Sequence, residues 1–316
     1  MTGWAVFYGE KQGGSVKREV DAFLSNLARE KGTSENTIMA YRNDLYQLTE
    51  FVEKRGLPKQ GATMWWSQVD QHLFTSYLLS LKEKSYAPAT VARKMAAAKS
   101  FFNYLVRRAK VDKSPAENLV STGLKKRPPQ TMSVQEVRRL LAQPARMTTP
   151  EGKRDMAMLE LLYAGGLRVG ELVALNEDDV DCDKNTVRCL GRKDKERTVP
   201  VPVRIGEMLR EYKANARLDL SEDDDETALF VNRRGGRLTR QGVWQILKEY
   251  AKKAGLKPDV APHILRHSRA AHMLSDGAST RSVQELLGHA NASMVQTYAQ
   301  LVAAHPSAGR GGSAST

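Results

Sequence analysis

Apolar residues recur at helical spacing through the first hundred positions. Within "SVKREVDAFLSNLAREKG", Val20, Phe23, Leu24 and Leu27 fall on one face of a helix. "TSENT" then supplies N-cap side chains, and Ile38, Tyr41, Leu45, Leu48 and Phe51 or Val52 continue the same period. A third helix is expected over about Gln68 to Lys82. A fourth follows "YAPAT" and buries Val91, Met95, Ala98, Phe102 and Leu105. Its other face carries Arg93, Lys94, Lys99, Arg107 and Arg108. "STGLKKRPPQT" (121–131) interrupts the pattern as a linker, because Pro-Pro cannot continue a helix.

After the linker, "MSVQEVRRLL" places a serine N-cap before an amphipathic helix. Another helix is expected from about Arg154 to Ala164, ending at Gly165-Gly166, with the next beginning near Val169. The period then changes. "TVRCLG" and "RTVPV" are short β-type runs joined by the polar "RKDKE", which predicts a hairpin. Helices return around Gly206–Asn215 and, after Thr239, around Gln241–Lys253. "SEDDDE" (221–226) reads as an exposed loop, and "HPSAGRGGSAST" as a disordered tail. The expected architecture is mainly α in two domains, 15–120 and 132–303, with a tail over 304–316. The second domain is α+β, with a small antiparallel hairpin.

Charge adds a partner to this outline. The 316 residues carry a net +13 and an isoelectric point near 9.7, which points to a polyanion, most economically nucleic acid. Residues 1–131 hold +9 of that charge and the rest +4. The basic face of the fourth helix is therefore expected to meet phosphates. No run is long enough to span a bilayer and no signal-peptide core is present, so a cytoplasmic protein is expected. Cys182 and Cys189 lack zinc-knuckle spacing, which predicts reduced thiols and no cysteine metal site.

Chemistry concentrates in "HILRHSRAAHML", from His263 to Leu274, with three of the six histidines and two arginines. His263 and His267, four apart, share a helix face as two zinc ligands can. However, no carboxylate lies in the stretch, and Arg266 and Arg269 would repel a dication. An anion fits better. Arg presents planar donors that match phosphate oxygens, and His adds a donor or moves a proton near neutrality. Upstream, "YAGGLRVGELVAL" sets Arg168 just ahead of a helix start, where anions are favoured. Downstream, "LGHANASMVQTY" sets His289 after a glycine that ends a helix, with Tyr298 nine residues on.

In this order, "GLRVGEL", "HILRHSRAAHML" and "LGHANASMVQTY" resemble the catalytic domain of tyrosine site-specific recombinases, the lambda-integrase family, and within it the bacterial Xer recombinases. "TSENTIMAYRNDLYQLTEFVE" and "YAPATVARKMAAAKSFFNYL" resemble that family's core-binding domain, a SAM-like DNA-binding bundle of four to five helices. The resemblance covers about residues 15–303. It implies that Tyr298 attacks a DNA phosphodiester, leaving a 3′-phosphotyrosine and a free 5′-hydroxyl. The ester conserves the bond energy, so the strand can be rejoined without ATP. A phenol with a pKa of about 10 then needs a proton acceptor or a strongly cationic site.

Arg168 and Arg266 are implied to clamp the non-bridging oxygens in place of metal ions, so neither a cofactor nor a metal is expected. By the same resemblance His263 handles protons near the nucleophile and His289 hydrogen-bonds the phosphate. His267 and His272 match neither role and read as packing or support, as does Arg269, which stands where an aromatic is usual. Glu171 reads as orienting cationic neighbours. Gly165 stands where Thr or Ser is usual. The hairpin departs furthest from the family: Arg192 occupies the usual position of the lysine that protonates the leaving 5′ oxygen. A guanidinium is a poor proton donor, which leaves Lys193 as the assigned acid and Lys195 as a further candidate.

The implied function is Xer-type recombination, serving chromosome or plasmid dimer resolution in partition and cell division. The only residues ahead of the first helix are some fifteen, with no arm-binding domain, which favours the Xer type. The alternatives are a phage or mobile-element integrase, a type IB topoisomerase, and a DNA-binding relative without catalysis. The implied partners are double-stranded DNA and further subunits in a homo- or heterotetramer on paired sites. They also include a second recombinase subunit or an accessory cell-division protein, and no membrane. Related recombinases often dock a C-terminal helix into a neighbouring subunit, and here "AQLVAAHP" has room for only about two helical turns, a departure from that pattern. Among alanine variants at 192, 193 and 195, only Lys193→Ala is expected to be rescued by a 5′-thio leaving group, which needs no proton. Strand-cleavage rates on that substrate check the assignment.

Overall fold

Aromatic side chains set the packing of the first half. The computed structural model describes residues 15–31, 33–55, 66–117, 129–191, 195–221, 223, 226–288 and 293–304. The chain divides into two compact units, residues 1–127 and 128–316, each with its own hydrophobic core. In the first unit four helices stand among the described residues: α1 (Ser15–Lys31), α2 (Glu35–Glu53), α3 (Gln71–Glu83) and α4 (Pro88–Arg107). The stripe Val20, Phe23, Leu24 and Leu27 is buried, as are Leu45, Leu48 and Val52 of α2. Trp66 packs edge-on against Phe101 and Phe102, with ring centroids 4.8 and 5.7 Å away. Helix α3 starts three residues later than Gln68, because the Asp70 carboxylate accepts the Leu73 N–H at 2.7 Å and caps it there. Helix α4 starts at Pro88, inside "YAPAT", since proline suits the first helical position.

The expected basic face of α4 is only partly one. Lys94 is buried, and its ammonium donates to Asp44 at 2.8 Å and Gln47 at 2.6 Å, both on α2. Arg93 also donates to Asp44. Lys94 is thus spent inside the unit while Arg93 stays exposed, and both tie α4 to α2 across about fifty residues of chain. Lys99, Arg107 and Arg108 remain exposed.

The second unit begins with α5 (Val134–Leu141), whose capping box joins Ser133 and Glu136. There follow α6 (Pro150–Ala164), α7 (Val169–Ala174) and a three-stranded antiparallel sheet in the order β1 (Val180–Asp181), β2 (Thr186–Leu190), β3 (Glu196–Pro200). The hairpin pairs Val187 with Val199 and Leu190 with Glu196. The turn residues 192–194 lie outside the described residues. Strand β1 was not expected, being too short to display alternation. Helix α8 (Val203–Glu211) runs through a π-helical turn, Tyr212–Ala216, into α9 (Arg217–Leu220), outlasting the expected Gly206–Asn215 at both ends. Then come α10 (Arg240–Lys253), α11 (Pro262–Ser275), α12 (Thr280–Leu287) and α13 (Ser293–Ala304). Residues 305–316, expected as a tail, lie outside the described residues.

Helix α11 runs through the middle of this unit. Ile264 and Leu265 enter the core beside α6, while Ser268 and His272 hold the chain that leads into α5. The Met132 N–H donates to Ser268 Oγ at 2.8 Å, and the Met132 carbonyl lies 2.9 Å from His272 Nε2. His272 Nδ1 sits 2.8 Å from the Tyr163 hydroxyl, which leaves this histidine structural. Among the described residues no helix is long and apolar enough to cross a membrane.

Removing Asp44 would strand the Lys94 ammonium in the first core. Asp44→Ala is expected to destabilise this unit by about 3–5 kcal/mol, and the double replacement Asp44→Leu with Lys94→Met by markedly less. Urea denaturation of the two variants checks the difference.

Candidate active site

The site forms where two helix ends meet. Helix α6 ends at Gly165-Gly166, and Gly166 adopts φ +54°, a left-handed conformation. A Cβ there would meet the Leu287 side chain at 2.7 Å, so the residue must be glycine. This turn delivers Arg168 to the start of α7. Its backbone N–H and its guanidinium each donate to the Glu171 carboxylate at 2.7 Å. Helix α12 stops at Gly288, again left-handed at φ +58°.

Helix ends leave carbonyls without intrahelical partners, and those of α12 are taken by three arginines. Arg197 Nε of β3 donates to the Leu286 carbonyl at 3.1 Å. Arg266 of α11 donates to the Leu287 carbonyl at 2.5 Å, and Arg168 to the Gly288 carbonyl at 3.4 Å. Arg266 also donates to the Gly166 carbonyl.

Glu171 completes the arrangement. Arg197 binds it through both terminal nitrogens at 2.8 and 2.9 Å, and Arg266 stands 3.8 Å away. Burial alone would raise the carboxyl's pKa. The hydrogen bonds from Arg197 and from the Arg168 backbone, with the arginine charges, outweigh it and hold the value down at about 2. Arg266 is itself pushed down to about 10, by burial first and by the charge of Arg168 second. It stays protonated at neutral pH.

Tyr298 is fully buried with Ala270, Val283, Leu287 and Val295, a small core between α11, α12 and α13. Its hydroxyl lies 2.5 Å from His267 Nδ1. Burial raises the phenol pKa, against the lowering charges of Arg266 and Arg168. His267 is depressed to about 4, by burial first, then by His263 and Arg266. His263, one turn earlier and exposed, packs edge-on to His267 with centroids 5.6 Å apart. Arg168, Arg197, His263, Arg266, His267 and Tyr298 border one open cleft of about 1050 Å³, together with Lys195.

The structure therefore gathers Arg168, Arg266, His263 and Tyr298 in one place. His289, Lys193 and Arg192 lie outside the described residues. Two cleft residues were not singled out from sequence as partners of the site. His267, read as packing or support, meets the Tyr298 hydroxyl; its four-residue spacing from His263 was the available signal. Arg197 shares the inward face of β3 with buried Val199, and that two-residue alternation pointed to it. Arg269 stacks over the Tyr163 ring at 5.8 Å, away from the cleft groups. No cluster of three or more His, Cys, Asp or Glu that could hold a metal ion occurs among the described residues.

A model of the phage integrase family matches residues 130–305, and a model of the phage integrase N-terminal SAM-like domain matches residues 20–109. The chain is 46% identical over 283 residues to a tyrosine recombinase XerC of Herpetosiphon aurantiacus, covering 90% of each protein. It is 37% identical over 286 residues to a tyrosine recombinase XerD of Oceanobacillus iheyensis, covering 90% of this chain and 94% of that one. Among solved structures, it is similar to the XerH site-specific recombinase bound to a palindromic difH substrate, with a TM-score of 0.68, 20% identity and 91% of each chain covered. It is also similar to the Tn1549 transposon integrase in complex with transposon right-end DNA. That match has a TM-score of 0.71 and 18% identity, covering 89% of this chain and 94% of that one.

The depressed Glu171 carboxyl contributes stability above its unfolded-state pKa of 4.5 and loses it as pH falls toward about 2. Glu171→Gln is expected to cost about 3 kcal/mol at neutral pH and progressively less below about pH 4. Chemical denaturation at several pH values checks the sign and the window.

Proposed function

The chain belongs to the phage integrase family, and from that premise we propose that it is a site-specific DNA recombinase of the Xer type. It cuts and rejoins DNA through a covalent 3′-phosphotyrosine intermediate. The observation that carries this reading is the convergence of Tyr298, Arg168 and Arg266 on one cleft, with the arginines held by Glu171. The scissile phosphate sits against the Arg168 and Arg266 guanidiniums, which stabilise the added charge of the five-coordinate transition state. They do so without a metal ion.

Tyr298 is the nucleophile. His263 and His289 border the phosphate, and a hairpin lysine, Lys193 by the sequence reading, protonates the leaving 5′ oxygen. The exposed Lys99, Arg107 and Arg108 are available to duplex phosphates. Residues 15–120 act as the core-binding domain and 132–303 as the catalytic domain. The protein works in the cytoplasm as a homo- or heterotetramer on paired sites, resolving chromosome or plasmid dimers. The XerC and XerD names of its relatives favour this role over phage integration.

A nicked suicide substrate tests the activity, because the cut strand diffuses away and the adduct accumulates. Wild-type protein is expected to form a covalent protein–DNA adduct in the presence of a chelator, and Tyr298→Phe none. Arg168→Ala is expected to slow adduct formation by about 10²–10³-fold. An adduct that survives Tyr298→Phe would refute the reading.

A further inference from the structure

The family resemblance gives Arg197 no role, yet this residue joins three parts of the site. It stands on β3 with its side chain only 14% exposed. Its terminal nitrogens grip Glu171 Oε1 and Oε2 at 2.8 and 2.9 Å. Its Nε donates to the Leu286 carbonyl in the last turn of α12 at 3.1 Å. One rigid, planar group thus fastens the hairpin strand, the first turn of α7 and the end of α12 in fixed relation. Its backbone pairs with Cys189 of β2, so the hold extends to the other strand of the hairpin.

What Arg197 does there follows from counting acceptors. A carboxylate offers about four lone-pair sites, two on each oxygen. Arg197 takes one on each oxygen of Glu171. The Arg168 guanidinium takes another on Oε1, and the Arg168 backbone N–H another on Oε2, both at 2.7 Å. The carboxylate is then full. Arg266 stands 3.8 Å from Oε2, outside hydrogen-bond range, and donates instead to the carbonyls of Gly166 and Leu287. Without Arg197, a lone pair on each oxygen would open beside Arg168 and Arg266. Either guanidinium could then turn a further nitrogen onto the carboxylate, since paired bonds from Arg to a carboxylate are strong. That nitrogen would be lost to an entering phosphate.

We propose that Arg197 is a positioning residue for strand cleavage. By occupying one lone pair on each Glu171 oxygen, it keeps Arg266 off the carboxylate and holds Arg168 to a single side-chain bond with it, so that both guanidiniums stay available to the scissile phosphate. This rests on the reading of Arg168 and Arg266 as the phosphate clamp. Arg197 acts through Glu171 and makes no bond to the phosphate itself. The fork is the essential feature, and the charge is secondary. A lysine at this position would supply the same charge through one nitrogen, which cannot cap two oxygens at once or reach the Leu286 carbonyl as well.

Single-turnover adduct formation on the suicide substrate, with the full chain titrated to saturating excess, tests the assignment. A partly unfolded variant shows weaker apparent DNA affinity and reaches the wild-type rate at saturation, whereas misplaced guanidiniums slow the saturated rate itself. Arg197→Lys is expected to slow the saturated rate by about 10–10²-fold while apparent DNA affinity changes by less than about threefold. Arg197→Met, which also removes the charge, is expected to be similarly slow. Combined with Glu171→Gln, either replacement is expected to add nothing to the loss that Glu171→Gln causes alone, because residues acting as a unit are not additive. Should Glu171→Gln fail to fold, Arg197→Ala with added guanidinium takes its place. Recovery of the rate by guanidinium, but not by methylammonium at the same concentration, is then the supporting result. Four outcomes overturn the proposal. One is a wild-type saturated rate in Arg197→Lys, which reduces Arg197 to a charge. Another is losses that multiply in the double variant, which place Arg197 on the phosphate directly. The others are a loss confined to DNA affinity and, in the fallback, a rate deaf to guanidinium. Absence of a Tyr298-dependent adduct from wild type overturns the recombinase reading and this proposal together. A wild-type adduct with any of the four outcomes overturns the Arg197 assignment alone.

Discussion

Three guanidiniums packed side by side repel one another, and the catalytic unit is arranged around the means of holding them. Two sources of negative potential do this. One is the Glu171 carboxylate, which receives Arg168 and Arg197 directly and stands near Arg266. The other is the C-terminal end of α12, whose last carbonyls face the same arginines and carry the negative end of the helix dipole. The cations are thus already assembled before an anion arrives, and little reorganisation is left to the moment of reaction. The left-handed glycines at 166 and 288 belong to the same device, since each turns the chain where an arginine must reach a carbonyl.

The two units treat buried charge in related ways for different ends. In the first, Asp44 draws Lys94 inward and fixes α4 against α2, removing that cation from the surface. In the second, Glu171 draws arginines together but leaves Arg168 partly exposed to the cleft. A buried acid can therefore either retire a basic residue from ligand contact or aim it at a ligand. What decides is whether the cation retains a face toward solvent.

That distinction marks the limit of what the sequence revealed. The helices, the hairpin and the two-unit division were legible, because periodicity, caps and Pro-Pro are local signals. The grouping of Arg168, Arg266, His263 and Tyr298 was legible from ordered motifs. The fate of Lys94 was not, because its partner lies fifty residues away on another helix and leaves no mark on the local pattern. His267 was read as packing or support, and what it supports was hidden for a similar reason. Spacing put it on the face of His263, but which of the two meets the tyrosine depends on how α13 seats against α11, a tertiary matter. Arg197 was legible in principle from its alternation with Val199, within a strand whose turn drew attention elsewhere.

The acceptors on α12 are main-chain atoms, and this has an evolutionary consequence. No side-chain replacement along the helix can delete a carbonyl, so drift in α12 leaves the arginine contacts standing as long as the helix stops in the same place. The constraint collapses onto the stop itself. At Gly288 a Cβ would lie 3.0 Å from Arg197 atoms, on a backbone that already disfavours any other residue. The mutational target presented by that end of the arginine site is accordingly about one codon wide, while the exposed face of the same helix is free to diverge.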